Sequence, residues 1–227
     1  MLGEMLIGFL AALWRLLKRL LGWSKTDKSK APEIARPPDT VDTRMGVHEA
    51  GHLICAWYCT HVVKINSVTI EGKNGGRVEH MYRFPFFGSG SPNRAGMLVI
   101  GLGGIAAEGM VFGTFHSAPA ESDLQRALVL SKELSSEGRE WPWEEASEGK
   151  VPPFGKMFSC ELKPRELYFL TSAYRFARAL LARRYVEHGK VASALLTQKT
   201  LTHQKLESLL GHRVRLLFRG LFQGSFE

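Results

Sequence analysis

Apolar residues recur along this chain in two rhythms, helical and strand-like, and the changes between them mark its elements. In the first 24 residues Leu2, Leu6, Phe9, Leu13, Leu16, Leu17 and Leu20 cover most of a helix, while Glu4, Arg15, Lys18 and Arg19 fall near one stripe. The uninterrupted apolar run, Met5 to Trp14, is ten residues, about half of what a membrane-spanning helix needs. The pattern suits a helix lying in an anionic membrane interface, with Trp14 and Trp23 at the headgroup level; docking on a partner or on the domain itself would use the same stripe. Positive charge follows the apolar run instead of preceding it, unlike a secretory signal. Residues 25–40 are polar, charged and broken by Pro32, Pro37 and Pro38, which predicts a flexible linker. The folded domain is expected from Val41 to His212, with residues 213–227 a basic, aromatic tail.

Within that domain a helix is predicted from Val41 to about Thr60, capped by Asp42 or Thr43. Val62 to Ile70 is β-branched and alternating, Gly72 to Gly76 is a turn, and Arg77 to Tyr82 is a second strand. Phe84 to Pro92 reads as a loop, either a flap over a site or an apolar corner. Asn93 to Phe112 is an apolar helix carrying Gly101, Gly103, Gly104, Ala106 and Ala107, small residues that predict a close crossing with the first helix. Another helix is predicted from Leu124 to Ser135. The whole reads as a mainly α fold with a small β hairpin or sheet.

Composition narrows the classes. The 227 residues are 44% hydrophobic, enough for one sizeable core with extras. The net charge of +8 is spread over three separate clusters, and no single patch is interleaved with aromatics as a nucleic-acid reader would be, so nucleic acid is not an expected partner. Three cysteines, Cys55, Cys59 and Cys160, lack the spacing of a disulfide framework and point to a reducing compartment. A cytoplasmic location follows, peripheral on the inner face of the membrane where residues 1–24 seat there. No Gly-x-x-x-x-Gly-Lys-Ser/Thr occurs, so ATP binding has no support.

The chemistry concentrates in His48-Glu49-Ala50-Gly51-His52. Residues four apart on a helix lie one above the other, so both imidazoles can reach one zinc ion, with Glu49 beside it. A carboxylate there can take a proton from water that the metal acidifies. A chance match would give two solvated histidines on a surface helix; the apolar run Leu53 to Tyr58 argues for a buried one. Val68, Thr69 and Ile70, on the strand just after this helix, are expected to hold an extended peptide by strand addition, unless the hairpin is purely structural. Glu108 is the lone charge in the apolar part of its helix. Buried, it would fix the ring of a zinc-binding histidine; exposed, it is a surface glutamate. The third ligand remains open among Glu108, His116, Glu121 and Asp123.

HEAGH with its apolar continuation, VTI on the next strand, GLGGIAAEGMVFG, and SDLQRA opening a helix occur in the order of the peptidase domain of FtsH, the membrane-bound ATP-dependent zinc metalloprotease. Ala177 to Leu210 also resembles that family's closing helices. The resemblance covers roughly residues 41–212. It implies an FtsH-type zinc peptidase domain with a C-terminal helical bundle, Zn2+ held by His48, His52 and Asp123, Glu108 behind the ligands, and Glu49 as the base. It further implies hydrolysis of unfolded polypeptides. The family carries its ATPase module ahead of the peptidase, where this chain shows the amphipathic segment and linker; a zinc-binding adaptor or regulatory subunit of an ATP-dependent protease is the alternative expectation. Gly109 and Ile105 stand where the family usually has an acidic residue and an arginine. Trp141 to Cys160 does not track the family, which leaves a homo-oligomer or an ATPase partner as open expectations.

Overall fold

A computed structural model describes residues 37–59, 62–71, 76–82, 91–115, 117–138, 140–142, 151–158 and 160–212. Helix α1 (Val41–Tyr58) starts at a capping box formed by Thr40 and Thr43, not by Asp42. The Thr40 hydroxyl accepts from the Thr43 N–H (3.2 Å), and the Thr40 N–H donates to the Thr43 hydroxyl (3.3 Å), so two orphan donors of the first turn are satisfied reciprocally. From Gly46 to Trp57 the helix is buried on every face. It is the central rod of the domain, which is why its sequence carries no clean polar stripe.

The sheet has three antiparallel strands in the order β2-β1-β3. The expected hairpin is present as β1 (Val62–Thr69) and β2 (Arg77–Tyr82). The third strand, β3 (Thr200–Thr202), was not foreseen and pairs with the other side of β1. Its approach depends on Lys199, a non-glycine residue held at φ 59°, whose carbonyl accepts the Ile70 N–H (2.9 Å) and whose ammonium meets Asp42 (3.0 Å).

Helix α2 (Ser91–Val111) lies against α1. As expected from its small residues, the crossing is close: a Cβ on Gly51 would fall 2.4 Å from the Gly103 carbonyl oxygen, and one on Gly103 would fall 2.8 Å from that of Gly51. By length and composition α2 would cross a membrane, but 67% of its apolar window is buried inside the fold, as a core helix should be. Helix α3 (Ser117–Ser136) begins well before Leu124. Ser-Ala-Pro-Ala-Glu-Ser-Asp reads as a loop because serine, aspartate and proline disfavour helix interiors. Pro119, though, lies in the first turn, where the N–H has no intrahelical partner to lose.

Helices α4 (Phe154–Met157), α5 (Pro164–Arg183), α6 (Tyr185–Gln198) and α7 (His203–Leu210) complete the described fold. α5 opens with Pro164 at its first turn, and buried Glu166 accepts the Lys163 N–H (3.0 Å). α6 reaches α1 at Gly46, where a Cβ would stand 3.4 Å from the Ala192 carbonyl oxygen. His188 of α6 is buried and donates from Nε2 to the Val47 carbonyl (3.0 Å). The expected interfacial helix of residues 1–24, residues 25–36 of the linker, the turn residues 72–75, residues 83–90 of the loop, His61, His116, residues 143–150 and the tail 213–227 lie outside the described residues.

Candidate metal centre

His48 and His52 project from one face of α1, one turn apart, and α3 brings Asp123 to meet them. Asp123 Oδ2 lies 2.9 Å from His48 Nε2 and 3.0 Å from His52 Nε2, and the two ring nitrogens are 2.9 Å apart. Asp123 sits inside the second turn of α3 rather than ahead of the helix, so its backbone is fixed. Among the described residues this is the group of three or more metal-binding side chains close enough to hold one ion.

The far sides of the two rings decide what the near sides offer. His52 Nδ1 is 2.7 Å from the Ile100 carbonyl, which can only accept, so Nδ1 carries the hydrogen and the neutral ring turns a lone pair inward from Nε2. His48 Nδ1 likewise donates to Glu108 Oε1 (2.7 Å). Were both rings neutral, three acceptors would meet at about 3 Å, and a single cation would satisfy all three at once. Two imidazole nitrogens and a carboxylate oxygen are a donor set that suits zinc.

The same carboxylates favour positive charge on the rings themselves. Burial opposes charge on His48, but hydrogen bonds to the Asp123 and Glu108 carboxylates outweigh it and push the imidazole up to about 9. Burial also opposes charge on His52, and the attraction of Asp123 overcomes it, so that its pKa is raised as well. Burial alone would raise Asp123; attraction to His52 and hydrogen bonds from both rings hold it well below the usual carboxylate range. The corner draws positive charge.

Glu49 stands beside the triad. It is 4% exposed, its Oε2 is buried without a hydrogen-bond partner, and burial raises its carboxyl above the ordinary range. An orphaned carboxylate oxygen is costly, and this one lies close enough to His48, His52 and Asp123 to interact with all three. Two glycines shape the cradle. A Cβ on Gly104 of α2 would lie 2.5 Å from His48 Nε2, and one on Gly76, just before β2, would lie 2.4 Å from Glu49 Cγ.

Glu108 takes the buried alternative: it is 0% exposed. Glu121 is exposed and stands outside the triad. Cys55 and Cys59 are buried, and burial pushes the Cys55 thiol up, as befits small apolar fillers. The strand-addition expectation for Val68, Thr69 and Ile70 is corrected. Val68 pairs with Val78 and Leu201, Thr69 with Arg77 and Thr200, and the Ile70 N–H is bonded to Lys199. β1 is the middle strand, so its main-chain groups are already taken; β2 has a neighbour on one side only among the described residues. Residues the sequence reading missed are Arg44, the Ile100 carbonyl, Gly76 and Gly104. Arg44 had one available signal, its place one helical turn before His48.

The described domain is thus a mainly helical one with a small antiparallel sheet and a His-His-Asp group able to hold a metal ion. The chain is homologous to the ATP-dependent zinc metalloproteases of the FtsH and YME1L kind. YME1L1 of Mus musculus is 29% identical over 171 residues, 72% of this chain and 23% of that protein. FtsH of Rhodococcus erythropolis is 28% identical over 181 residues, 72% of this chain and 21% of that protein. FtsH of Rickettsia conorii is 25% identical over 185 residues, 73% and 28% respectively. No protein-family model matches the chain. It spans about a quarter of the length of these relatives.

Proposed function

We propose that the chain is a zinc metalloendopeptidase that hydrolyses peptide bonds of unfolded polypeptides. The observation that carries this reading is the convergence of His48, His52 and Asp123 donor atoms within 3.0 Å of one another, with a buried, unpartnered Glu49 oxygen beside them. His48, His52 and Asp123 would hold the zinc. When bound, zinc supplies Lewis-acid activation of water and of a scissile carbonyl.

Glu49 takes the proton from the attacking water and delivers it to the leaving amine, a role its raised pKa suits. Glu108 and the Ile100 carbonyl hold the two rings so that Nε2 of each faces the centre. Gly76 lets the segment entering β2 lie directly on Glu49, so a chain added along the side of β2 that has no neighbour among the described residues would pass near the base. Such a strand reads main chain and not sequence, which supports unfolded polypeptide as the substrate class. The relatives are ATP-dependent by name; an ATPase partner and an anionic membrane surface for residues 1–24 belong to the same proposal.

Degradation of casein by the zinc-loaded chain without ATP tests the reading, run beside Glu49→Gln. Loss of at least about 100-fold in the variant, with zinc retained, is expected of a general base. No cleavage by either form, with zinc bound, would instead favour the zinc-binding regulatory subunit.

A further inference from the structure

We infer that Arg44 is a positioning residue of the metal centre: it clamps Glu108, and through Glu108 it sets the ring orientation and tautomer of His48. The inference rests on the reading of His48 as a zinc ligand. Glu108 divides its two oxygens between two partners. Oε1 accepts from His48 Nδ1 (2.7 Å), and Oε2 accepts from Arg44 Nη1 (3.2 Å). Each oxygen therefore locks the rotation that the other needs.

The guanidinium is held in its turn. Its Nη2 donates to Asp39 Oδ2 (2.8 Å) and to the Thr114 hydroxyl (3.3 Å), its Nη1 reaches the Thr114 carbonyl (3.4 Å), and its plane lies over the Phe112 ring, 4.6 Å from the centroid. A planar fork pinned by Asp39 just ahead of α1 and by Phe112 and Thr114 just after α2 is held against Glu108. The line Asp39, Arg44, Glu108, His48 thus runs from the surface to the centre. Arg44 and His48 share one face of α1 as an i, i+4 pair, so a single carboxylate on α2 can reach both. The His48 ring packs against Gly104, where a Cβ would fall 2.5 Å from Nε2; Glu108, at the other nitrogen, sets which one carries the hydrogen.

The test uses the full chain and zinc itself. Zinc affinity is measured by competition with a chromophoric chelator for the unmodified chain, Arg44→Met, Glu108→Gln and the double variant, and nitrogen-15 spectra of the zinc-loaded proteins report the His48 tautomer. Arg44→Met is expected to weaken zinc about 10- to 100-fold, the range for outer partners of metal ligands, and to broaden or shift the His48 Nδ1–H signal. In the Glu108→Gln background the same change should add less than about twofold, because Arg44 acts through Glu108; a merely structural Arg44 would give additive losses and leave the tautomer signal alone. Should Arg44→Met fail to fold, Arg44→Gln keeps a donor and is expected to weaken zinc about tenfold. Unchanged zinc affinity and an unchanged His48 signal in either variant would overturn the role given to Arg44. Absence of zinc binding by the unmodified chain would defeat the ligand reading itself, and with it this inference.

Discussion

The most direct probe of the centre's construction is a single methyl group at Gly104. A Cβ there would stand 2.5 Å from His48 Nε2 and 2.6 Å from both Cδ2 and Cε1, about 1 Å short of an ordinary contact of roughly 3.5 Å. The methyl would press on the flat of the ring, against the edge that carries the inward lone pair. His48 is 2% exposed and is held at one end by Glu108 and at the other by Asp123, so the ring has nowhere to retreat without breaking one of them. Overpacking of this kind costs about 1–3 kcal/mol, of which the better helix propensity of alanine returns about 1 kcal/mol. Gly104→Ala should therefore fold with a stability loss of about 0–2 kcal/mol, while zinc binds at least about tenfold more weakly. Gly101→Ala is the matched control: a Cβ there has nothing within 4 Å, so it should gain about 0.5–1 kcal/mol and leave zinc affinity alone. Chelator competition and urea unfolding on the three proteins read both quantities. Zinc binding of full strength in Gly104→Ala would refute the placement of His48 against α2.

Two further outcomes follow from the same packing. Gly51→Ala sets a Cβ 2.4 Å from the Gly103 carbonyl oxygen and 2.6 Å from Ala107 Cβ; backbone cannot yield, so a loss of about 3 kcal/mol, or roughly 6–12 °C in Tm, is expected by calorimetry, and an unchanged Tm would mean the helices cross less closely. His188 has its pKa lowered chiefly by burial, so the unfolded chain binds its proton first and the fold loses stability as pH falls below about 6.5. His188→Gln should flatten that acid loss in urea midpoints taken at about pH 7.5 and 5.5; identical slopes would show that His188 does not titrate with folding.

Much of this protein could be read from local pattern. The spacing of His48 and His52, the alternation of the two hairpin strands and the glycine run of α2 each encode a face or a period, and periods survive in any sequence that folds into that element. Element boundaries were less secure where one residue serves two readings. Ser117 to Asp123 looks like a loop until Pro119 is placed in a first turn, and Asp42 and Thr43 both look like caps until Thr40 takes the position.

Partners distant along the chain were a different matter. Periodicity says which face of an element is buried but not which neighbour meets it, so spacing left Glu108, His116, Glu121 and Asp123 equivalent; the family resemblance pointed to Asp123, and α3 carries it to within 3.0 Å of both rings. The same limit hid Arg44 behind Glu108. It also hid β3, three residues that turn β1 from an edge strand into a middle one and leave β2 as the strand beside Glu49. The helix that carries the histidines was written in the sequence, because its signal lies within one turn of backbone. The centre around it was decided by tertiary packing, because its other members come from helices and strands whose mutual placement no local period records.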